Sequence, residues 1–455
     1  VATIADHPNT NLLEVFRPLS NSERWFWIAD QISTMNGAAW IHIDGTVTTA
    51  QLERAAARVV AEHPLLRVRI EARPDGSHPR FTPADHPRVG IRTVRVAADD
   101  EAAVAAEVDV VELREPLDWR TGPLVRLVDV VRGGGTADES HDLILTIAHV
   151  ISDALSMVSL LGQVVRYAAE PGPDPATIVS RPPLRPADEL IPRGSRSLTR
   201  AVLGLLLDQA VSVLSRPVLL SPEAEVPPAQ RRTRLICREL SKSDTSDLMA
   251  LCKSKGVTVH GALTAAMATA VAHEISPNTS RHVPIGSPVN CRGELSPPIG
   301  LEELGPYASS VSGCLLAGPN IDLWTTARRS NRIVRRRLRL RQHLSGLASW
   351  RVVTPKSVAK SKLIVDLVNQ RAARTVLVSN IGLSAFPDRA GNWRLSGLQG
   401  AVGVSCISYM VAGAVTSGGV LRWNFTFAEG VVSAARAGRI ADHAIELLRA
   451  QLVST

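Results

Sequence analysis

The apolar positions of this chain change their period along its length, and each change marks an element. In LLRVRI (Leu65–Ile70) and VGIRTVRV (Val89–Val96) apolar and polar residues alternate, which predicts two half-buried strands. Leu52, Ala56, Val59 and Val60 recur instead at helical spacing. Thr49 is the predicted cap of that helix, and His63-Pro64 its end. The segment LSNSERWFWIAD opens on a capping box, Ser20 with Glu23 three residues later, ahead of a short helix. Strands at Ala38–Ile43 and Leu124–Val131, a helical segment near Glu101–Leu113 and a flexible turn at Gly133-Gly134-Gly135 complete this part.

The centre of the first half is HDLILTIAHVISDALSMVSLLGQVV. Leu143–Ala148 is a near-continuous apolar run, as in a strand buried on both faces. From Asp153 the period turns helical, through Leu155, Val158, Leu161 and Val165. His149 therefore falls at the end of a buried strand, just before a new helix, where side chains point into clefts.

Prolines recur from Pro171 to Pro192, which reads as a connection between lobes. A helix at Leu198–Leu214 and a Pro-bearing loop near Pro222–Pro228 follow. The second half opens with a strand (Thr233–Leu240), a helix capped by Ser243 and an alanine-rich helix, Gly261–Ile275. Val283–Val289 and Ser309–Leu316 are strand-like, and helices are predicted over Asp322–Leu344 and Lys356–Ala372. A strand-rich block from Val376 to Phe427 and a terminal helix near Ser433–Leu452 close the chain. Both halves mix helices with strands, so the predicted class is α/β in two lobes. The divisions are an N-terminal lobe at 1–185 that carries the histidine, a crossover linker and helix at 186–230, and a C-terminal lobe at 231–455.

Length supports the division, because 455 residues exceed what one hydrophobic core usually serves. The longest apolar stretch, Ala201–Leu220, is interrupted by Asp208, Gln209, Arg216 and Pro217, so no membrane-spanning segment is expected. The first residues lack the plan of a signal peptide, and a cytoplasmic, soluble, monomeric protein is the expectation. The five cysteines are scattered without a C-x-x-C pair, which points to reduced thiols and away from a zinc site. The net charge of +8 raises the question of nucleic acid, but only 4% of residues are aromatic, too few for stacking platforms. The basic run Arg332–Arg341 (RIVRRRLRLR) suits either a solvated helix face or the phosphates of coenzyme A or an acidic carrier protein.

His149 and Asp153 stand in AHVISDA. That spacing alone is common; its place between a buried strand and a fresh helix is more telling. Acyl transfer from a thioester needs little more than such a histidine. The carbonyl is already activated and a thiol leaves readily, so neither metal nor bound cofactor is required. The acceptor must lose its proton as it attacks, which a neutral imidazole does at neutral pH. The tetrahedral intermediate then needs donors aimed at its oxyanion. Asp153 has a structural explanation of its own, since a carboxylate at a helix start accepts backbone N–H groups and complements the dipole.

AHVISDA resembles the HHxxxDG motif of the condensation-domain and chloramphenicol-acetyltransferase superfamily. Within it the chain is most similar to polyketide-associated O-acyltransferases of the phthiocerol dimycocerosate type. The resemblance runs through LSNSERWFW, EHPLLRVRI, LSKSDTSDLMALCKSKGVTVHGALTAAM, PVNCRGELSPPIG and LVSNIGLSAFP, in that order. It implies two chloramphenicol-acetyltransferase-like lobes in a V, with a central tunnel that holds His149. It further implies a buried ion pair for Asp153, a structural or tunnel position for Arg292, and Ser379 and Asn380 near the site, positioning acceptor or oxyanion. A polar turn at a strand end accounts for that last pair equally well. Ala148 and Ala154 depart from the motif, and the DFGWG common in relatives is absent, with RWNFTF in its place. Ala154 would be strained if its position required positive φ.

The expected function is transfer of an acyl group from acyl-CoA or an acyl carrier protein to a hydroxyl of a natural-product or lipid acceptor. The absence of carrier and adenylation modules from the chain favours an ester product over an amide. An amide-forming condensation enzyme with a carrier-bound donor and a catalytically silent binding homologue are the alternatives. A serine hydrolase is excluded by the lack of G-x-S-x-G, because GVSCI (Gly403–Ile407) fails at its last position.

Overall fold

A computed structural model describes residues 15–453, apart from 137, 171, 197–198, 200–214, 373 and 405. The helix expected at Leu198–Leu214 lies outside the described residues.

The chain begins with α1 (Asn21–Ile32) and β1 (Asn36–Asp44), then α2 (Thr49–Glu62), β2 (Val68–Glu71), β3 (Arg80–Pro83) and β4 (Gly90–Val96). After α3 (Ala103–Glu107) come β5 (Val125–Arg132), β6 (Ser140–Ala148) and α4 (Ala154–Ala169). The capping box at α1 is present: Glu23 N–H donates to Ser20 Oγ, and Glu23 Oε2 accepts from Ser20 N–H at 2.8 Å. At α2 the cap is Thr48, one residue before the expected Thr49. Gln51 three residues later completes the box, its Oε1 accepting from Thr48 N–H at 2.8 Å. LLRVRI is a strand only from Val68, because Pro64 starts a 3-10 turn over Pro64–Arg67.

The second half contains β7 (Thr233–Leu240), α5 (Lys242–Ser254), α6 (Val259–Ile275), β8 (Arg281–Asn290) and β9 (Ala308–Ala317). It continues with α7 (Leu323–Arg339), α8 (Gln342–Val353), α9 (Lys362–Leu367) and β10 (Val376–Leu383). It ends with β11 (Arg389–Ala390), β12 (Trp393–Val402), β13 (Met410–Ser417), β14 (Val420–Ala428) and α10 (Ala434–Val453). Ser241, not Ser243, caps α5, its Oγ accepting from Asp244 N–H at 3.0 Å. The helix expected over Asp322–Leu344 breaks at Arg341, whose φ of 54° is left-handed. Of the helix expected over Lys356–Ala372, only α9 and a π turn at Val368–Ala372 form.

Two six-stranded sheets organise these elements. The first has the order β11-β12-β1-β6-β5-β4, the second β7-β14-β13-β10-β8-β9. β6 is paired along both edges, with β1 and β5, and His141–Ala148 are buried without alternation, so both its faces are covered as its apolar run predicts. Sheet membership does not follow chain order throughout: β11 and β12, from the second half, complete the first sheet, with Ala38 facing Ala401 and Ala39 facing Gly400. Two main cores result. One packs α2, α4 and the first sheet together with Trp393, Leu395 and Leu398; the other packs α6 and α10 against the second sheet. Part of the proline-rich connection is built in as well, since Ala187, Leu190 and Ile191 are buried against Cys291, Tyr307 and Leu344.

Candidate active site

β6 delivers the backbone to the site. Its last residue, Ala148, is buried and pairs with Asn36 of β1. The chain then makes one 3-10 turn, His149–Ile151, with Ser152 Oγ donating back to Ala148 O at 3.0 Å. Asp153 is extended (φ −130°) and caps α4 by accepting from Ser156 N–H at 2.9 Å. Ala154 begins the helix and is not among the residues with positive φ, so its methyl group brings no backbone strain.

His149 is half-buried. Its Nδ1 is buried without a hydrogen-bond partner, so any contact with a reactant falls to Nε2. The imidazole lies flat on Phe26 of α1, ring centres 4.1 Å apart and planes 7° from parallel. Burial pushes its pKa below 6.5, an effect that its own backbone and the Asp153 charge only partly offset. The ring is therefore neutral at pH 7. Phe26 is itself pinned, because α1 is fastened to α8 by the Trp25–Trp350 stack at 5.6 Å and by Thr354 Oγ1 donating to Asn21 O at 3.1 Å.

Asp153 turns its carboxylate to a different partner. Arg292, in the turn after β8, grips it with two bonds, Nη1 to Oδ2 at 2.7 Å and Nη2 to Oδ1 at 3.0 Å. Oδ2 also accepts from Tyr307 N–H at 3.0 Å. Arg292 Nη2 donates further to Ser156 Oγ at 2.7 Å and to Gly305 O at 3.3 Å. Arg292 is 1% exposed and Asp153 6%, so this is a buried clamp between the two halves of the chain. Gly305 (φ 146°) serves it by lacking a side chain, since a Cβ there would lie 2.4 Å from the Tyr307 ring.

Ser379 and Asn380 stand in the middle of β10, not in a turn at a strand end, opposite Gly413 and Ala414 of β13, and both are half-buried. Asn380 Oδ1 accepts from Gly382 N–H at 2.9 Å, where the β10–β13 register shifts between Asn380 and Leu383 and Gly382 takes φ 81°. No hydrogen bond joins either residue to His149, Asp153 or Arg292. The segment that follows does reach the first lobe, where Ile381 and Phe386 pack on its core and Phe386 lies against α4 at Gly162. Thus the structure brings His149, Asp153 and Arg292 together around one turn, while Ser379 and Asn380 sit on the second sheet. Phe26, Ser156 and Tyr307 escaped the sequence reading. Ser156 carried a signal, its place three residues after a capping aspartate; Phe26 and Tyr307 carried none, since their roles arise from contacts across the chain.

An arginine face lies nearby in sequence. Arg332, Arg335, Arg336 and Arg339 project from α7 exposed and without a carboxylate partner among the described residues. No Asp or Glu occurs between Asp322 and Asp366. Burial raises the thiol pKa of Cys237 and Cys291 to about 12 and of Cys252 to about 11, so these thiols are unreactive. Among the described residues, no helix is long and apolar enough to cross a membrane.

Residues 228–390 match the family model described as phthiocerol/phthiodiolone dimycocerosyl transferase C-terminus. The chain is 27% identical over 318 residues to the phthiocerol/phthiodiolone dimycocerosyl transferase of Mycobacterium tuberculosis, covering 68% of this chain and 70% of the relative. A stretch of 167 residues, 35% of this chain, is 28% identical to a hybrid PKS-NRPS synthetase of Trichoderma harzianum, of whose length it spans 4%. In fold, the chain is similar to polyketide synthase associated protein 5 from M. tuberculosis, with TM-score 0.66 and 20% identity, covering 95% of this chain and 97% of that one. It is also similar to the trichothecene 15-O-acetyltransferase of Fusarium sporotrichioides, with TM-score 0.72 and 10% identity over 95% and 94% of the two chains. These likenesses, together with the two-sheet fold, support the resemblance to the polyketide-associated acyltransferases of the phthiocerol dimycocerosate type, within the condensation-domain/chloramphenicol-acetyltransferase superfamily.

Proposed function

We propose that the protein transfers an acyl group from a thioester to a hydroxyl of a natural-product or lipid acceptor, with His149 Nε2 as general base. The observation that carries this reading is the placement of the His149 ring, held flat by Phe26 with Nδ1 buried and unpartnered, where burial also favours its neutral form. An alcohol must shed its proton as it attacks, so it needs that base more than an amine does, which can attack first and lose its proton afterwards. Nε2 takes the proton from the acceptor oxygen as that oxygen bonds to the thioester carbon. Collapse of the tetrahedral intermediate expels the thiolate, which recovers the proton from the imidazolium. Ser379 and Asn380 are the proposed donors to acceptor or oxyanion, and the Asp153–Arg292 clamp holds the loop that presents the base. The unpartnered arginines of α7 suit an anionic donor, either the phosphates of coenzyme A or an acidic carrier protein.

The test is incubation with a panel of acyl-CoA thioesters, following thiol release with and without alcohols or amines. Release that depends on an alcohol, in the wild type but not in His149→Ala, is the expected result. Equal turnover by both proteins would reject the proposal. Amine-dependent release would move the assignment to amide formation, and activity only with acyl carrier protein would identify the donor.

A further inference from the structure

On one side of the second sheet, α6 and α10 pack together and each brings an imidazole to a shared cavity. His273 and His443 have ring centres 4.5 Å apart, with planes at 73°. Neither ring has a hydrogen-bond partner among the described residues. Thr269 and His273 lie one turn apart on α6, and His443, Leu447 and Gln451 on successive turns of α10. With Ile321, Asp322 and Leu323, these residues line a cavity of about 280 Å³ that no arginine or lysine borders. Thr269 Oγ1, in the wall of the cavity, is buried and has no partner.

Two uncommitted imidazoles beside water-sized space are a ligand pair for a metal that prefers nitrogen. A metal about 2.1 Å from each nitrogen, bound by two rings at roughly a right angle, puts the ring centres about 4.5–5 Å apart, close to the separation seen. Glu446 beside His443 adds negative charge, while Asp322 at the rim is taken up by Thr325 and by Arg328 at 3.7 Å. No group of three or more His, Cys, Asp or Glu side chains fit for a metal occurs among the described residues, so water must supply the rest of the coordination.

We propose that His273 and His443 bind one divalent transition metal of the imidazole-preferring class, such as zinc or nickel, with cavity water completing its shell and Thr269 holding one of those waters. The metal ties the terminal helix to the alanine-rich helix; it takes no part in the chemistry at His149. The test uses the full chain without a histidine tag, stripped with EDTA and titrated calorimetrically with Zn²⁺ or Ni²⁺. One saturable equivalent is expected at neutral pH, with a matching rise in Tm. His273→Ala and His443→Ala should each abolish it, and Thr269→Val should weaken it about tenfold. His273 is exposed, so His273→Ala keeps the fold and decides the matter even if His443→Ala does not fold. No saturable equivalent in the wild type, or one that persists in His273→Ala, would overturn the proposal.

Discussion

His149 and Asp153 are four residues apart, yet the fold treats them in opposite ways. Every oxygen of Asp153 is engaged, by Arg292, by Tyr307 N–H and by the start of α4. His149 has a packed face and a buried Nδ1 without a hydrogen-bond partner. A buried polar group without a partner ordinarily costs stability. A fold that satisfies one residue completely and leaves its neighbour open separates a part that holds shape from a part kept for a reactant. His63 sharpens the contrast. It is a histidine as buried as Asp153, and its Nε2 is bonded to Gln163 Oε1 at 2.8 Å.

The contrast breaks most directly at His149. His149→Ala should lower acyl transfer about 10²–10⁴-fold while leaving Tm close to that of the wild type, as read by a thiol-release assay beside thermal denaturation. A large fall in Tm would mean that the ring is structural after all. Arg292→Ala should do the reverse, costing about 3–5 kcal/mol in denaturant unfolding because it leaves Asp153 charged and buried. A cost below about 1 kcal/mol would show that water readily replaces the clamp.

Titration separates the two histidines. His63 has a folded pKa of about 4, against 6.5 for the free side chain, because burial opposes its charge. Above pH 6.5 neither state of the protein binds that proton and the group has no effect. As pH falls from 6.5 towards 4, the unfolded chain takes the proton and the native one does not, so stability should drop by roughly 3 kcal/mol. Urea unfolding of the wild type and His63→Gln across that range reads the difference. For His149 the readout is rate: kcat/KM should be flat through neutral pH and fall on the acid side with a pKa below 6.5. An inflection above 6.5 would assign the base to another group. The smallest effect is expected at Ser156, whose hydroxyl is one of several partners of Arg292. Ser156→Ala should cost about 1 kcal/mol, with the pH profile of the rate unchanged.

Elements whose pattern is long and local could be read from the chain. β7 runs over the expected Thr233–Leu240, the capping box at Ser20 is in place, and β6 passes into α4 around His149 as the change of period indicates. The errors fall where two neighbours compete for one role. Thr48 and Ser241 cap in place of Thr49 and Ser243, each because the residue three places later supplies the matching N–H. The basic helix was read too long because nothing in RLRLRQHL announces that Arg341 turns left-handed.

What the sequence determined by itself is the local frame: a buried strand, a histidine at its end and a capped helix after it, each set by periodicity and capping within a few residues. Tertiary structure decided which groups meet there. Phe26 reaches the histidine from 123 residues away, Arg292 reaches Asp153 from 139 residues away, and β12 leaves the second half to complete the first sheet. Periodicity shows which face of an element is apolar, but not which distant face covers it. That pairing depends on how the whole chain closes its two cores, and it settles which polar groups are satisfied and which are left free.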